Sequence, residues 1–227
     1  MNRPNTLRYQ RGSAFSYTCH ACSRCCHDKV IQLNPYETAR LAANRGIGTT
    51  EFLSRYTEAN GTALMRVEHG ACVFLTAHGC GVHQDRPLVC RLYPLGRRVT
   101  AEGEESFSET TPHPQTEGQY GTDGTVEEFL TRQGAQPYIE AVDRYVDLLG
   151  RMAAVLNARV QDDAPLKQAV RETVETRNRP QQTVPEWMDM DVAVMRYCAR
   201  HGQPAPSDVA GKFDVHLKAL DEWLGWG

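Results

Sequence analysis

The clearest regular pattern along the chain lies in its second half. From Pro137 onward, Ile139, Val142, Tyr145, Val146, Leu149, Met152, Ala153, Leu156 and Val160 recur at steps of three and four residues, the spacing of one helical face. A further helix is expected over 165–177, followed by a linker or wrap-around loop, NRPQQTVP, from Asn178 to Pro185. The helical pattern resumes at Glu186, runs to Arg200 and stops at Gly202. Ser207 is the expected cap of the last helix, whose apolar side is Val209, Phe213, Leu217, Leu220 and Leu224.

The first half is patterned differently. Residues 1–14 read as a flexible arm. Asn34-Pro35-Tyr36-Glu37 offers an N-cap side chain, a proline at the first helical position and an acid at the third. A helix should start there, run to about Asn44 and stop at Gly46. Thr50-Glu51 opens a second, short helix with Phe52, Leu53 and Tyr56 on its apolar side. Two short strands over 62–68 and 71–75 are expected around His69-Gly70. The stretch from Arg97 to Thr111, with Gly103 at its middle, suggests a hairpin or irregular loop, and Pro112 to Gly124, rich in Gly, Pro and Thr, reads as loop.

Composition narrows the classes. The 227 residues leave room for one large domain or two small ones, and 41% hydrophobic with 23% charged residues is ordinary for a globular protein. A net charge of -3 and a pI near 6.2 give no general attraction to nucleic acid or to anionic membrane. No apolar run approaches the ~20 residues of a membrane helix. The stretch from Met1 to Tyr17 carries Arg3, Arg8 and Arg11 among polar residues and lacks an apolar core, so it is no secretory signal, and a reducing cytoplasm is the expected location.

That location gives the cysteines their meaning. Seven of the eight fall between Cys19 and Cys90, and Cys198 alone lies outside. Where thiols stay reduced, such clustering points to metal binding or redox chemistry rather than disulfides. Cys19, Cys22 and Cys25 repeat at C-x2-C-x2-C, followed at once by Cys26. Two residues between thiolates let a turn aim both sulfurs at one metal, and three in succession match the run that supplies three corners of a [4Fe–4S] cluster. Neighbouring side chains usually point apart, so Cys25 and Cys26 are expected to face two different centres.

The second group is Cys72, Cys80 and Cys90, set in C72-V-F-L, G79-C80-G81 and R86-P87-L88-V89-C90-R91-L92-Y93-P94. C-x2-C-x2-C-C, then C-x-F-L, C-x5-R-P and C-R-x-Y-P, together resemble the YkgJ-type cysteine-cluster family, described as a zinc- or iron-chelating domain. The resemblance covers roughly residues 19–95. Its departures are His83, where tyrosine is frequent, and Leu95, where phenylalanine is. The family often shows a further Cys-Pro about twenty residues on; here Thr111-Pro112-His113-Pro114 places a histidine there. Seven thiolates do not divide into two four-coordinate sites unless one bridges, whereas His113 would make eight. His20, His27, His69 and His83 also lie near cysteines and are read as neighbours of the ligands or as exposed groups.

A thiolate centre is anionic, and cations beside it would compensate. Arg24 and Lys29 stand beside the first group, and Arg86, Arg91, Arg97 and Arg98 around the last cysteine. Arg86 and Arg91 are the expected cofactor contacts, whose hydrogen bonds to sulfur would raise a cluster's reduction potential. Pro87 and Pro94 fix the turns that deliver Cys90, and Cys198 reads as a buried core cysteine.

The chain therefore reads as mainly α with small β elements: a loop-rich, metal-centred part over 15–124 packed on a helical part over 125–227. The leading expectation is an iron–sulfur protein, [4Fe–4S] in type, with a redox or catalytic role and a protein or redox partner. The alternatives are a non-catalytic zinc module, with zinc also open as a second centre, and a metal-handling protein with thiolates left free for transfer. The resemblance further implies a flagellin lysine N-methylase-like relative using S-adenosylmethionine on a lysine-bearing protein. No glycine-rich strand-to-helix loop supports it, and a C-x3-C-x2-C fails because Lys29 takes the third position. No G-x-S-x-G, H-E-x-x-H or P-loop appears. Asp189 and Asp191 read as acids favoured by a helix N-terminus, and no catalytic residue is assigned.

Overall fold

The computed structural model describes residues 8–162 and 184–225. The helix expected over 165–177 lies outside the described residues, as do most of the linker after it and the side chains of Leu156, Val160 and Leu224. In chain order the elements are β1 (Ala14–Thr18), α1 (Pro35–Arg45), α2 (Thr49–Tyr56) and the two-residue strands β2 (Thr57–Glu58), β3 (Ala63–Leu64), β4 (Leu75–Thr76) and β5 (Gly79–Cys80). Then follow α3 (Leu88–Leu92), β6 (Leu95–Val99), β7 (Glu105–Glu109), β8 (Gln119–Thr125), α4 (Val126–Arg132), α5 (Gln136–Asp162), α6 (Met190–His201) and α7 (Val209–Gly225). Helices dominate, and every sheet among the described residues has two strands.

The chain divides into two compact units that interleave along the sequence. The cysteine-bearing unit takes the described residues up to Gln32 and Met65–Ile139. Its core forms where β1 pairs antiparallel with β8, placing Phe15 against Phe129 of α4 at 5.2 Å between ring centres. The expected loop up to Gly124 is therefore strand from Gln119 onward. Its glycines, which read locally as turn signals, let β8 lie close on β1: a Cβ at Gly121 would stand 2.7 Å from Ser16 Oγ. The hairpin expected around Gly103 is present as β6–β7, with Gly103 at φ +85°.

The N-terminal arm is not free after residue 8. Tyr9 exchanges both backbone hydrogen bonds with Phe107, at 2.8 and 2.9 Å. Arg11 pairs at 2.5 Å with Glu105 and at 2.5 Å with Glu127. Helix α4 lay outside the periodic reading, although Thr125 and Glu128 form a capping box that could have announced it. Of the strands expected at 62–68 and 71–75, β3 pairs instead with β2, and the two stretches meet only through the Arg66–Cys72 bridge and flanking backbone bonds.

The other unit takes Leu33–Leu64 and the described residues from Glu140 onward. Helix α1 starts and stops as its sequence dictates: Asn34 and Glu37 form a reciprocal capping box, and Gly46 closes it at φ +67°. Phe52 and Leu53 of α2, Tyr145 and Leu148 of α5, and Phe213, Leu217 and Leu220 of α7 are buried. The last helix is capped by Asp208, which accepts the Gly211 N–H at 2.9 Å, and not by Ser207. Cys198 is buried on α6, as its apolar surroundings required.

Candidate metal centre

All seven clustered cysteines fall in one unit, delivered by three stretches of backbone. The first leaves β1 at Thr18 and carries Cys19, Cys22, Cys25 and Cys26. Ala21 (φ 55°), Ser23 (φ 61°) and Asp28 (φ 56°) all adopt the left-handed conformation. It costs a non-glycine residue about 1 kcal/mol or more, and persists only where surrounding structure holds it. The turn Arg24–Cys26 is a single 3-10 turn, closed by the Cys26 N–H on Ser23 at 3.0 Å. The Ala21 N–H points at the Cys19 sulfur at 3.4 Å.

The second stretch locks onto the first. The Cys72 N–H donates to the Cys26 carbonyl at 2.9 Å, and the Asp28 N–H to the Gly70 carbonyl at 2.9 Å, with His27 bridged to Ala71 between them. Gly70 is obligatory here: its φ is +70°, and a Cβ would lie 2.1 Å from Asp28 Oδ1. Cys80 follows on β5, paired with Leu75 of β4. The third stretch places Cys90 in α3, its N–H on the Pro87 carbonyl at 2.9 Å.

Electrostatics bring the thiols together. Cys25 and Cys26 are hydrogen-bonded to each other, so their side chains do not point apart as neighbour geometry suggested. Cys25 is pulled below the usual thiol range by that bond, against burial and with help from Lys29. Cys26 is pushed far up by the same bond, by burial, and by the charges of Cys25, Cys90 and Cys80. The pair thus gives up one proton readily and holds the second. Burial, opposed by a backbone bond at Phe74, raises Cys72, which also feels Cys80.

The two arginines expected beside the centre play unlike parts. Arg86 has its charge against Cys90, Cys80 and Cys19, while burial and Arg91 hold its pKa down. Its guanidinium is fixed by the His83 carbonyl and the Gln133 side chain, both at 2.5 Å. Arg91, only 6% exposed, spends four of its five N–H donors elsewhere. They go to the carbonyls of Arg86 (2.9 Å), Gln133 (2.7 Å) and Gln84, and to the Tyr138 hydroxyl (2.9 Å). Its guanidinium also stacks on the Tyr138 ring at 4.1 Å.

His113 sits on an exposed loop, where its Nδ1 accepts the Gln115 N–H at 3.0 Å. No described hydrogen bond, ion pair or ring contact ties it to a cysteine. His83, exposed, has its pKa lowered by partial burial and by Arg86 and Arg91. The sequence reading passed over an aromatic wall beside the thiols. Tyr93 carries the Lys29 ammonium over its ring at 4.2 Å and meets Tyr17 edge-on at 5.9 Å; Tyr17 in turn meets Tyr120 at 5.1 Å. The C-R-x-Y-P run already contained Tyr93, but nothing in its spacing showed which way the ring would face.

Among the described residues, no three His, Cys, Asp or Glu side chains converge on one metal-binding point. The fit to a metal rests on donor chemistry: reduced thiols gathered in one unit, four of them mutually charged neighbours, with a fixed cation beside them. That donor set suits soft or borderline ions such as zinc, and iron in sulfide clusters. Residues 18–113 match a family model, CxxCxxCC, described as a "putative zinc- or iron-chelating domain". No curated protein and no solved structure matches the chain.

Proposed function

We propose, from the membership of residues 18–113 in the CxxCxxCC family of zinc- or iron-chelating domains, that this chain holds an iron–sulfur cluster of the [4Fe–4S] type. The ligands are drawn from Cys19, Cys22, Cys25, Cys26, Cys72, Cys80 and Cys90, with His113 as the candidate eighth. The observation that carries the reading is the mutual charge coupling of Cys25, Cys26, Cys80 and Cys90 beside Cys72, in a unit where Arg86 supplies a compensating cation. When bound, such a cluster supplies one-electron redox chemistry. The residues of the chain orient the thiols through the Cys26–Cys72 backbone bond, offset their charge through Arg86 and Lys29, and screen one side with Tyr93 and Tyr17. Thiols kept available for metal in this way belong in a reducing compartment, and the cytoplasm is the location proposed.

Zinc is the second reading, because the same thiolate set satisfies tetrahedral sites of four cysteine ligands and the family description names both metals. Metal and acid-labile sulfide analysis, with a visible spectrum of protein purified without oxygen, separates them. Iron with matching sulfide and a brown absorbance bleached by dithionite supports the cluster. A colourless protein holding zinc and no labile sulfide overturns it in favour of a zinc module. In a His113→Ala variant, reduced metal content is the expected result; unchanged content removes His113 from the ligand set.

A further inference from the structure

The seven thiols are not held alike. Cys26 is bonded through its carbonyl to Cys72, Cys80 sits in the β4–β5 ladder, and Cys90 rides on α3, which Arg91 pins to three carbonyls and Tyr138. Those stretches form a frame whose backbone cannot shift without breaking several hydrogen bonds. Residues 19–22 are different. Among the described residues, no backbone–backbone hydrogen bond joins them to another segment. The stretch is anchored only at its ends, by β1 up to Thr18 and by the Arg24–Cys26 turn. Cys19 is also exposed, whereas the other six clustered cysteines are half-buried.

We propose that Cys19 is the exchangeable thiolate of the metal centre, the donor through which a metal ion enters and leaves, while the frame cysteines retain it. The inference rests on the reading of the clustered cysteines as metal donors and assigns unequal parts within that set. The incoming group is itself a thiolate, from a small thiol or a cysteine-bearing protein. In the exchange step the metal–Sγ bond of Cys19 breaks as a bond from the incoming sulfur forms. No electrons change hands, and the released Cys19 thiolate takes a proton from solvent. Arg86 keeps the freed arm within reach, because its fixed charge acts on Cys19 as well as on Cys80 and Cys90.

The test is differential alkylation of the full-length wild-type chain with N-ethylmaleimide, metal-free and after loading with zinc ion alone, read cysteine by cysteine by mass spectrometry. Loading should slow the labelling of Cys26, Cys72, Cys80 and Cys90 by about 100-fold or more, and that of Cys19 by less than about 10-fold. Zinc should stay bound after Cys19 has reacted, and a Cys19→Ser chain should keep the wild-type zinc content. Equal protection of Cys19 and the frame cysteines, or zinc loss on Cys19 labelling, overturns the assignment while leaving metal binding intact. A wild-type chain that retains no metal after desalting overturns the reading beneath it as well, and that outcome is visible before any alkylation is done.

Discussion

At the scale of single residues, the cysteine cluster was legible and its supporting cast was not. Spacing alone said that Cys19 to Cys26 share a loop and that Cys72, Cys80 and Cys90 belong with them, because thiols have few other reasons to bunch in a reducing compartment. The same reading grouped Arg86 with Arg91, since both flank Cys90 and sequence adjacency carries no side-chain direction. The structure separates them: Arg86 faces thiols, and Arg91 ties backbone carbonyls together. Their variants should therefore fail differently. Arg91→Met leaves three carbonyls without their donor inside the unit and should cost about 3–5 kcal/mol in urea unfolding, whether or not metal is present. Arg91→Lys should recover only part of this, because an ammonium cannot match a planar fork. Arg86→Gln should leave metal-free stability within about 1 kcal/mol but lower metal retention. If the two substitutions give the same stability and metal profiles, the division between them is wrong.

At the scale of elements, local signals served where both partners of a motif lie close in sequence. Asn34 with Glu37 fixed the start of α1 and Gly46 its end. The failures share one cause: the deciding partner is far away. β8 is strand because β1 lies more than a hundred residues earlier, and β3 turned to β2 rather than to the stretch after Gly70. Asp189 and Asp191 were rightly placed near a helix start, yet they do more than favour a dipole. Asp189 accepts the hydroxyls of Thr49 (2.5 Å) and Thr50 (2.6 Å), while Asp191 accepts the Thr49 N–H at 2.8 Å and the Lys212 ammonium at 2.7 Å. Thr49 Oγ1 in turn takes the Asp191 N–H at 3.0 Å, so the N-termini of α2 and α6 cap each other. Although burial pushes the Asp191 pKa up, the bonds from Lys212 and Thr49 more than offset it and hold it below the usual range. Thr49→Val keeps the shape but leaves a buried carboxylate oxygen and an N–H short of a partner, and should cost about 1–3 kcal/mol. Thr49→Ser should restore most of it. Denaturant midpoints of the two variants decide the point, and a valine variant as stable as wild type would show the mutual cap to be inert.

At the scale of the whole molecule, the response to acid carries information that no local motif offered. Among the described residues, no helix is long and apolar enough to cross a membrane, so stability in water is the relevant quantity. His216 on α7 is fully buried, its Nδ1 2.8 Å from the Tyr145 hydroxyl of α5. Its Nε2 makes no hydrogen bond among the described residues, although the Trp187 backbone and Asp189 favour the charged ring weakly. Burial outweighs both and pushes the His216 pKa down to about 4. A base with a depressed folded pKa binds its proton more readily in the unfolded chain. The unfolded state therefore gains protons first as pH falls below 6.5, and stability declines until the folded pKa is reached. A gap of about 2.5 units corresponds to roughly 3 kcal/mol, lost between pH 6.5 and about 4. Thiolate ligands also take up protons on acidification and release metal, so wild type and His216→Gln must be compared at matched metal content. The slope of unfolding free energy against pH should be shallower in the variant, and the difference should persist in metal-free protein. Parallel slopes would mean that the buried imidazole finds a proton-bearing arrangement at little cost, and acid sensitivity would then belong to the thiolate centre instead.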